Sequence, residues 1–155
     1  MTNITIEFTV ASDFLKIAEL DRIAWRSNNN SEFIADGEHS WRIWCEHAVM
    51  YTARSEQQIV GAILAFHCEN STYCLHKIMV SPDYRGRKIG SLLFKSLLKN
   101  LDSKKVDSFL TVDPDNKAAI TLYKKWGYEI KEHISGYYRS YEDRYIMLRQ
   151  PEAGC

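Results

Sequence analysis

The chain has 155 residues, the size of one ordinary domain. Hydrophobic residues make up 45% and charged residues 26%, which excludes a disordered or collagen-like chain. Twenty basic and twenty acidic side chains give a net charge of zero, so bulk charge does not predict nucleic acid or an anionic membrane as a partner. The charge is uneven: residues 1–50 hold four basic and eight acidic side chains, and residues 85–105 hold seven basic and one acidic.

Targeting signals and cysteine usage indicate the compartment. The start Met1–Glu7 lacks the basic and apolar regions of a signal peptide, and no run of about 18 apolar residues is present. For a bacterial chain we therefore expect a cytoplasmic protein that does not bind a membrane. The four cysteines form no C-x-x-C pair and the five histidines show no metal-ligand spacing. This pattern predicts free thiols in a reducing compartment and no metal.

The first part of the chain predicts one strand and two helices. Residues Ile4–Phe8 alternate as a half-buried strand does, and Ser12 then offers an N-cap for a helix. Residues 27–31 are turn formers and interrupt the pattern. The apolar spacing from Trp41 to Ala48 predicts a second amphipathic helix.

The rest of the chain predicts a sheet with two more helices. A meander of three antiparallel strands is expected at Val49–Arg54, Ile59–His67 and Tyr73–Val80. A loop at Ser81–Gly90 precedes a helix with an apolar stripe from Ile89 to Leu101. The later elements are a strand at Ser108–Val112, a turn at Asp113–Asn116, a helix at Lys117–Trp126 ended by Gly127, and strands Tyr128–His133 and Arg144–Leu148 around the loop Ser135–Asp143.

These elements define the predicted fold class. The order predicts an α/β (α+β) fold with a mixed, mostly antiparallel central sheet flanked by helices. A β-α-β crossover links the strand that ends at Val80 to the strand that begins at Ser108, which predicts parallel pairing of these two strands. We expect a single domain over residues 1–149, and residues 150–155 as a disordered tail.

The loop at Arg85–Gly90 has the features of an anion site. It lies between a strand and a helix, where backbone N–H groups and the helix dipole attract negative charge. Arg87 and Lys88 at the helix start are unfavourable for the dipole by about 0.3–1 kcal/mol each. A bound polyanion would reverse this penalty, so the conflict predicts a phosphate-bearing ligand.

Two motifs around this loop carry a family resemblance. The stretch Leu75–Leu93 reads LHKIMVSPDYRGRKIGSLL, and Asn116–Tyr128 reads NKAAITLYKKWGY. They resemble the two signatures of the GNAT superfamily of N-acetyltransferases, Q/R-x-x-G-x-G/A after a strand and N-x-x-A-x-x-L-Y-x-x-x-G-F/Y. The likeness covers about Ile4 to Leu148, including some likeness to the branch that acetylates ribosomal-protein N-termini.

The resemblance implies acetyl-CoA as co-substrate and no metal. The strand would pair with the pantetheine amides as an added strand, the loop would wrap the pyrophosphate, and Asn116 would hydrogen-bond the pantetheine arm. Lys88 stands where the family usually has glycine. The implied cofactor-binding residues are Ile78, Met79, Val80, Arg85, Gly86, Arg87, Lys88, Ile89, Gly90, Ser91, Asn116 and Tyr123.

The resemblance also implies catalytic roles. Tyr123 matches the tyrosine that acts as general acid toward the departing CoA thiolate. Thr111 occupies the position of the glutamate base of the ribosomal-protein branch and cannot act as a base. His76 occupies the position of a carboxylate in polyamine-acetylating relatives, and an imidazole with a pKa of about 6.5 suits a general base. Asp113 and Glu32 are alternative bases.

The sequence leaves two classes of amine acceptor open. Tyr137 and Tyr138 resemble the tyrosine-rich hairpin that brackets a peptide end in the N-terminal acetyltransferase branch, which makes them candidate substrate-binding residues. The acidic residues Glu32, Asp36, Glu38 and Glu46 would instead attract a polyamine or another cationic small molecule.

The resemblance predicts an acetyl-CoA-dependent N-acetyltransferase that transfers the acetyl group directly to a primary amine of a small molecule or peptide. The alternative is a non-catalytic module of the same fold that binds CoA and acts as a sensor or scaffold. We expect no nucleic-acid partner, because one basic element without an aromatic stacking platform does not predict one. A homodimer through strand edges is an open alternative.

Overall fold

The structure is a computed structural model that describes residues 3–26 and 35–153. The described part has four α-helices and seven strands, with 3-10 turns at Ala11–Asp13 and Pro82–Tyr84. The elements in chain order are β1 Ile4–Phe8, α1 Phe14–Arg26, α2 Glu38–His47, β2 Val49–Ser55, β3 Gln58–His67, β4 Tyr73–Val80, α3 Ile89–Ser103, β5 Ser108–Val112, α4 Lys117–Lys125, β6 Glu129–Ile134 and β7 Arg144–Arg149.

The strands form one mixed sheet in the order β1-β2-β3-β4-β5-β7-β6. The pairs β1·β2, β2·β3, β5·β7 and β6·β7 are antiparallel, whereas β4 and β5 are parallel with Tyr73 opposite Ser108. The parallel pair follows from the crossover through α3, since a hairpin cannot join parallel strands. The predicted fold class is therefore confirmed. No described helix is long and apolar enough to cross a membrane.

The chain divides into two compact units, and the divisions fall inside β3, β4 and α3. Unit 1 comprises residues 1–66 and 77–97, and unit 2 comprises residues 67–76 and 98–155. The prediction of a single domain over 1–149 stays a prediction, as does that of a disordered tail. Within the tail, the Glu152 N–H donates a hydrogen bond to Asp102 Oδ1 at 3.1 Å.

The core of unit 1 lies under α1 and α2. Their apolar positions recur at helical spacing, so one side of each helix is buried against β2, β3 and β4. The buried members of this core are Ile17, Ala18, Leu20, Trp41, Cys45, Met50, Ala62, Leu64 and Met79. The helix predicted after Ser12 begins differently: Ser12 lies inside the 3-10 turn, and the Asp13 carboxylate accepts the Val10 N–H at 3.3 Å.

A buried ion cluster occupies the same unit. The Lys77 ammonium, from β4, lies 2.8 Å and 2.7 Å from the two carboxylate oxygens of Asp21 and 2.8 Å from Asp36 Oδ2. Trp41 Nε1 donates to Asp21 at 3.2 Å, and the Lys77 ammonium lies 5.2 Å from the Trp25 ring centroid. The cluster links α1, the start of α2 and β4 through charges removed from water.

Unit 2 is built around β5, α4 and the β6–β7 hairpin. Gly127 adopts φ +96° after α4, and the Gly127 and Tyr128 N–H groups donate to the carbonyls of Lys124 and Tyr123, both at 3.0 Å. This is a Schellman motif, which explains why the helix ends at the predicted glycine. The Tyr128 hydroxyl is buried and lies 2.8 Å from Ser108 Oγ.

Candidate active site

The basic loop, Arg85–Lys88, precedes α3 and is exposed to solvent. Gly86 adopts φ +77° and Lys88 adopts φ +61°, so both residues are in the left-handed region. A non-glycine residue there is strained by about 1–2 kcal/mol. The loop therefore has a backbone conformation suited to glycine at the position where this chain departs from the family signature.

The start of α3 presents backbone donors beside this loop. The first hydrogen bond there runs from the Leu92 N–H to the Lys88 carbonyl at 3.1 Å. The N–H groups of 89–91 precede it, so α3 itself supplies no acceptors for them. The Arg87 guanidinium stacks 4.8 Å from the Tyr84 ring centroid. Donors, dipole and cations thus coincide at one exposed loop, which fits a phosphate group.

Strand β4 presents two different faces. Leu75, Lys77 and Met79 are buried, whereas His76, Ile78 and Val80 are half-buried. Ile78 Cδ1 lies 3.8 Å from the position that a Cβ on Gly90 would take, so the strand touches the first turn of α3.

Burial limits what some predicted cofactor-binding residues can contribute. Met79 and Ile89 are 5% and 1% exposed. These two residues therefore offer little side-chain surface to a ligand.

Helix α4 positions the second motif. Asn116 caps the helix, with its Oδ1 accepting the Ala119 N–H at 3.2 Å. The cap occupies one lone pair and leaves the amide N–H₂ as a donor toward a ligand. The ring of Tyr123 lies 6.3 Å from that of Tyr128 at an interplanar angle of 69°, and burial raises the pKa of Tyr123. The Tyr123 phenol is therefore protonated at neutral pH.

The strands of unit 2 form a half-buried face. β5 alternates, so Phe109 and Thr111 project opposite to the buried Ser108, Leu110 and Val112. The register places Cys74 opposite Phe109, and Ile146 and Leu148 opposite Thr111 and Phe109. The half-buried face comprises Cys74, His76, Phe109, Thr111, Ile146 and Leu148.

Two tyrosines of the β6–β7 loop adjoin this face. The Tyr138 hydroxyl lies 3.2 Å from Thr111 Oγ1, and the Tyr137 and Tyr138 rings meet edge to face at 4.8 Å. Burial raises the pKa of Tyr137, with smaller contributions from Tyr138 and Cys74. Burial also raises the pKa of the Cys74 thiol to about 12, so this thiol is protonated at neutral pH and is not a nucleophile.

The β6–β7 loop is held by its own hydrogen bonds. The Gly136 N–H donates to Asp143 Oδ1 at 3.0 Å, and His133 Nε2 lies 3.1 Å from Asp143 Oδ2. These two contacts hold the pKa of Asp143 below its usual value. The Arg144 guanidinium lies 5.0 Å from the Tyr138 ring centroid. The two tyrosines are thus presented by an ordered loop.

The candidate bases lie in different settings. His76 is half-buried on β4, in line with Cys74 on the same face. Asp113 is engaged in the turn before α4, where its Oδ1 accepts the Asp115 N–H at 2.9 Å and its Oδ2 lies 4.0 Å from Arg144. Glu32 lies outside the described residues.

The structure brings the predicted residues together in two groups. Unit 1 holds the strand residues Ile78, Met79 and Val80 with the basic loop, and unit 2 holds His76, Asn116, Tyr123, Tyr137 and Tyr138. Sequence reasoning missed the Thr111–Tyr138 contact and the buried role of Lys77. The alternation of β4 is a signal for the second, because it places Lys77 between the buried Leu75 and Met79. No group of His, Cys, Asp or Glu in residues 3–26 and 35–153 is arranged to hold a metal.

Comparison with known proteins identifies the class. The chain belongs to the GNAT family of acetyltransferases, whose family model matches residues 15–128. The RimI N-alpha-acetyltransferase of Mycobacterium tuberculosis is 40% identical over 78 residues, which are 50% of this chain and 48% of that protein. The chain spans 29% to 54% of the length of the curated relatives that it matches.

Solved structures share the fold. The ribosomal-protein-S18-alanine N-acetyltransferase of Escherichia coli superimposes with a TM-score of 0.82 at 22% identity, covering 98% of this chain and 97% of that one. The PaiA N-acetyltransferase of Thermoplasma acidophilum, in complex with coenzyme A, gives a TM-score of 0.74 at 18% identity, covering 96% and 99%. At these identities the likeness establishes the fold.

Proposed function

We propose that this chain is an acetyl-CoA-dependent N-acetyltransferase that transfers the acetyl group directly to a primary amine of a peptide or small molecule. The observation that carries the proposal is the basic loop at the start of α3, with Lys88 in a glycine-like conformation, in a chain of the GNAT family. The coenzyme A complex of the PaiA relative supports CoA as the ligand.

We assign cofactor binding to two backbone features. The backbone of Ile78–Val80 binds the pantetheine arm, and the N–H groups of Gly86 to Ser91 bind the pyrophosphate, assisted by Arg85, Arg87 and Lys88. Asn116 keeps its amide N–H₂ for the arm while its oxygen caps α4. The bound thioester supplies the acetyl group.

We assign the general acid to Tyr123. Its raised pKa keeps the phenol protonated at neutral pH, so it donates a hydrogen bond to the sulfur as the thiolate departs. His76 is the proposed acceptor of the amine proton, because it lies on the same half-buried face of β4 as Cys74, which is paired with Phe109 of β5. Thr111, at the position of the glutamate base of the ribosomal-protein branch, cannot act as a base.

The ion pairs of unit 1 favour a peptide amine over a polyamine. Three acidic side chains that would attract a polycation each have a basic partner in the same unit. The pairs are Asp36 with Lys77 at 2.8 Å, Glu38 with Arg22 at 3.9 Å and Glu46 with Arg42 at 2.6 Å. Their charge is largely compensated, whereas Tyr137 and Tyr138 offer uncharged walls beside the half-buried face.

Cytoplasmic localisation and a homodimer belong to the proposal as well. The described cysteines Cys45, Cys68 and Cys74 carry free thiols, which supports a reducing compartment. The homodimer stays a prediction from strand edges.

The test is release of CoA thiol from acetyl-CoA with a panel of peptide N-termini and spermidine. Wild type is expected to turn over, with the peptides preferred. Tyr123→Phe is expected to lower kcat about 100-fold, since general acids contribute roughly 10²–10⁴. The matched control is Tyr141→Phe, an exposed tyrosine at 65% exposure. Binding of acetyl-CoA without turnover of any amine would favour the non-catalytic sensor or scaffold.

His76 is tested in the same assay by its pH profile. If His76 accepts the proton, His76→Ala lowers kcat/KM and changes its pH profile. An unchanged rate and pH profile would make the imidazole structural.

A further inference from the structure

We infer that Thr111 is a positioning residue that fixes the Tyr138 ring at the half-buried face and thereby sets the affinity for the amine acceptor. The inference rests on the proposed function, which places the acceptor at this face. Its direct observation is the 3.2 Å contact between Thr111 Oγ1 and the Tyr138 hydroxyl.

Thr111 is a rigid point of attachment. It lies in β5, opposite Ile146 of β7, with its neighbours Leu110 and Val112 buried. A β-branched side chain on such a strand has few rotamers. Its hydroxyl therefore occupies a well-defined position at the face.

Tyr138 needs such an attachment because the residue is 55% exposed. Its loop backbone is ordered by the Gly136–Asp143 hydrogen bond at 3.0 Å and by the Tyr137 N–H donating to the Glu142 carbonyl at 2.9 Å. The ring itself meets the edge of Tyr137 and the Arg144 guanidinium, which are contacts from the same hairpin. The Thr111 hydroxyl joins the tip of the ring to the neighbouring strand.

This arrangement gives Thr111 a positioning role, although it has no carboxylate. A hydroxyl cannot take the amine proton, but it can hold a tyrosine that borders the acceptor. Fixing the ring before the acceptor arrives lowers the entropy lost on binding. The contact should therefore affect the acceptor and not acetyl-CoA.

The first experiment compares Thr111→Val, which is nearly isosteric, with Thr111→Ser, which keeps the hydroxyl. Losing one such hydrogen bond is expected to raise the KM for the peptide amine about 3- to 10-fold. The KM for acetyl-CoA is expected to stay within about 2-fold, which a general loss of folding would not produce. Thr111→Ser is expected to restore most of the amine affinity. An unchanged amine KM in Thr111→Val, or an equal rise in both KM values, would overturn the inference.

A double-mutant cycle with Tyr138→Phe tests the pairing. Tyr138→Phe keeps the ring and removes the hydroxyl, so it should raise the amine KM as much as Thr111→Val does. The combined variant should show no further rise, because both changes remove the same contact. Additive effects would contradict a shared role.

A readout without turnover separates this inference from the proposed function. In protein labelled with fluorotyrosine, the ¹⁹F signal of Tyr138, assigned by its loss in Tyr138→Phe, should shift in Thr111→Val and return in Thr111→Ser. A signal unaffected by Thr111→Val refutes the attachment. If wild type binds acetyl-CoA but acetylates no amine, the proposed function fails and the role in acceptor affinity falls with it, whatever the ¹⁹F signal shows.

Discussion

Lys88 shows how one residue can combine a backbone cost with a side-chain gain. Its φ of +61° is a conformation that glycine adopts freely and lysine does not. The ammonium also stands at the positive end of the α3 dipole, which is unfavourable without an anion. Both penalties are consistent with a residue whose charge is useful when phosphate is bound.

Lys88→Gly separates the backbone strain from the effect of the side-chain charge. The variant should raise the free energy of unfolding by about 1 kcal/mol through relief of strain, measured by urea denaturation. It should also weaken CoA binding about 5-fold by calorimetry, because one cation near the phosphates is lost. Lys105 is the matched control, since its φ of +56° is equally strained and it follows α3. Lys105→Gly should stabilise the fold and leave CoA affinity unchanged; an equal loss of affinity in both variants would refute the role of the Lys88 charge.

Among the secondary-structure elements, the packing of β3 against β4 and α3 requires a glycine. A Cβ on Gly61 would lie 3.0 Å from the Met79 carbonyl oxygen, 3.2 Å from Leu93 Cδ1 and 3.3 Å from Ile89 Cγ2. The first neighbour is backbone of the proposed pantetheine-binding strand, so it cannot move aside as a side-chain end would. The close approach of these elements therefore depends on a missing methyl group.

Gly61→Ala is expected to destabilise the protein by about 1–3 kcal/mol, the range for overpacking a core. Because the strain falls on Met79 and Ile89, CoA affinity should fall as well. Gly37→Ala is the control, as its Cβ would meet nothing within 4 Å and its φ is −74°. Thermal unfolding and calorimetry measure both effects. Equal melting temperatures for the two variants would show that β3 can shift to accept the methyl group.

The secondary structure of this chain could be read largely from local signals. The alternation in Ile4–Phe8, the glycine after α4 and the parallel pairing of β4 with β5 are all confirmed. The predictions were less accurate at the ends of elements. Ser12, predicted as an N-cap, lies inside a 3-10 turn, and Tyr128, predicted to start a strand, precedes β6. Ends depend on caps and tertiary hydrogen bonds, which propensity does not encode.

The candidate site was harder to predict from the sequence, because its contacts join residues that are far apart in the chain. Thr111 meets Tyr138 across 27 residues, and Lys77 meets Asp21 across 56. A motif indicates the type of ligand, here a predicted phosphate group, since the loop and helix proposed to bind it are continuous in the chain. The proposed acceptor walls come from β5 and the β6–β7 loop, so their proximity emerges only from the folded structure.

Over the whole molecule, the zero net charge reflects internal pairing as well as a division between acidic and basic segments. Part of the acidic excess of residues 1–50 is directed inward, where Asp21 is fully buried and Asp36 is partly exposed, both beside Lys77. Burying these charges is costly, and removing one member alone leaves a buried charge without its partner. The ammonium therefore has a larger effect on stability than on surface charge.

Lys77→Met tests this dependence. The methionine fills a similar volume but leaves the buried Asp21 carboxylate without its cation, so the free energy of unfolding should fall by about 3–5 kcal/mol. Lys16→Met is the control, because Lys16 is 76% exposed and lies 3.6 Å from Glu19, a pair worth less than about 1 kcal/mol. Urea denaturation of both variants gives the comparison. Adding Asp21→Asn to Lys77→Met should recover part of the loss, since it removes the uncompensated charge. A Lys77→Met variant as stable as Lys16→Met would mean that water reaches Asp21 and solvates it when the ammonium is gone.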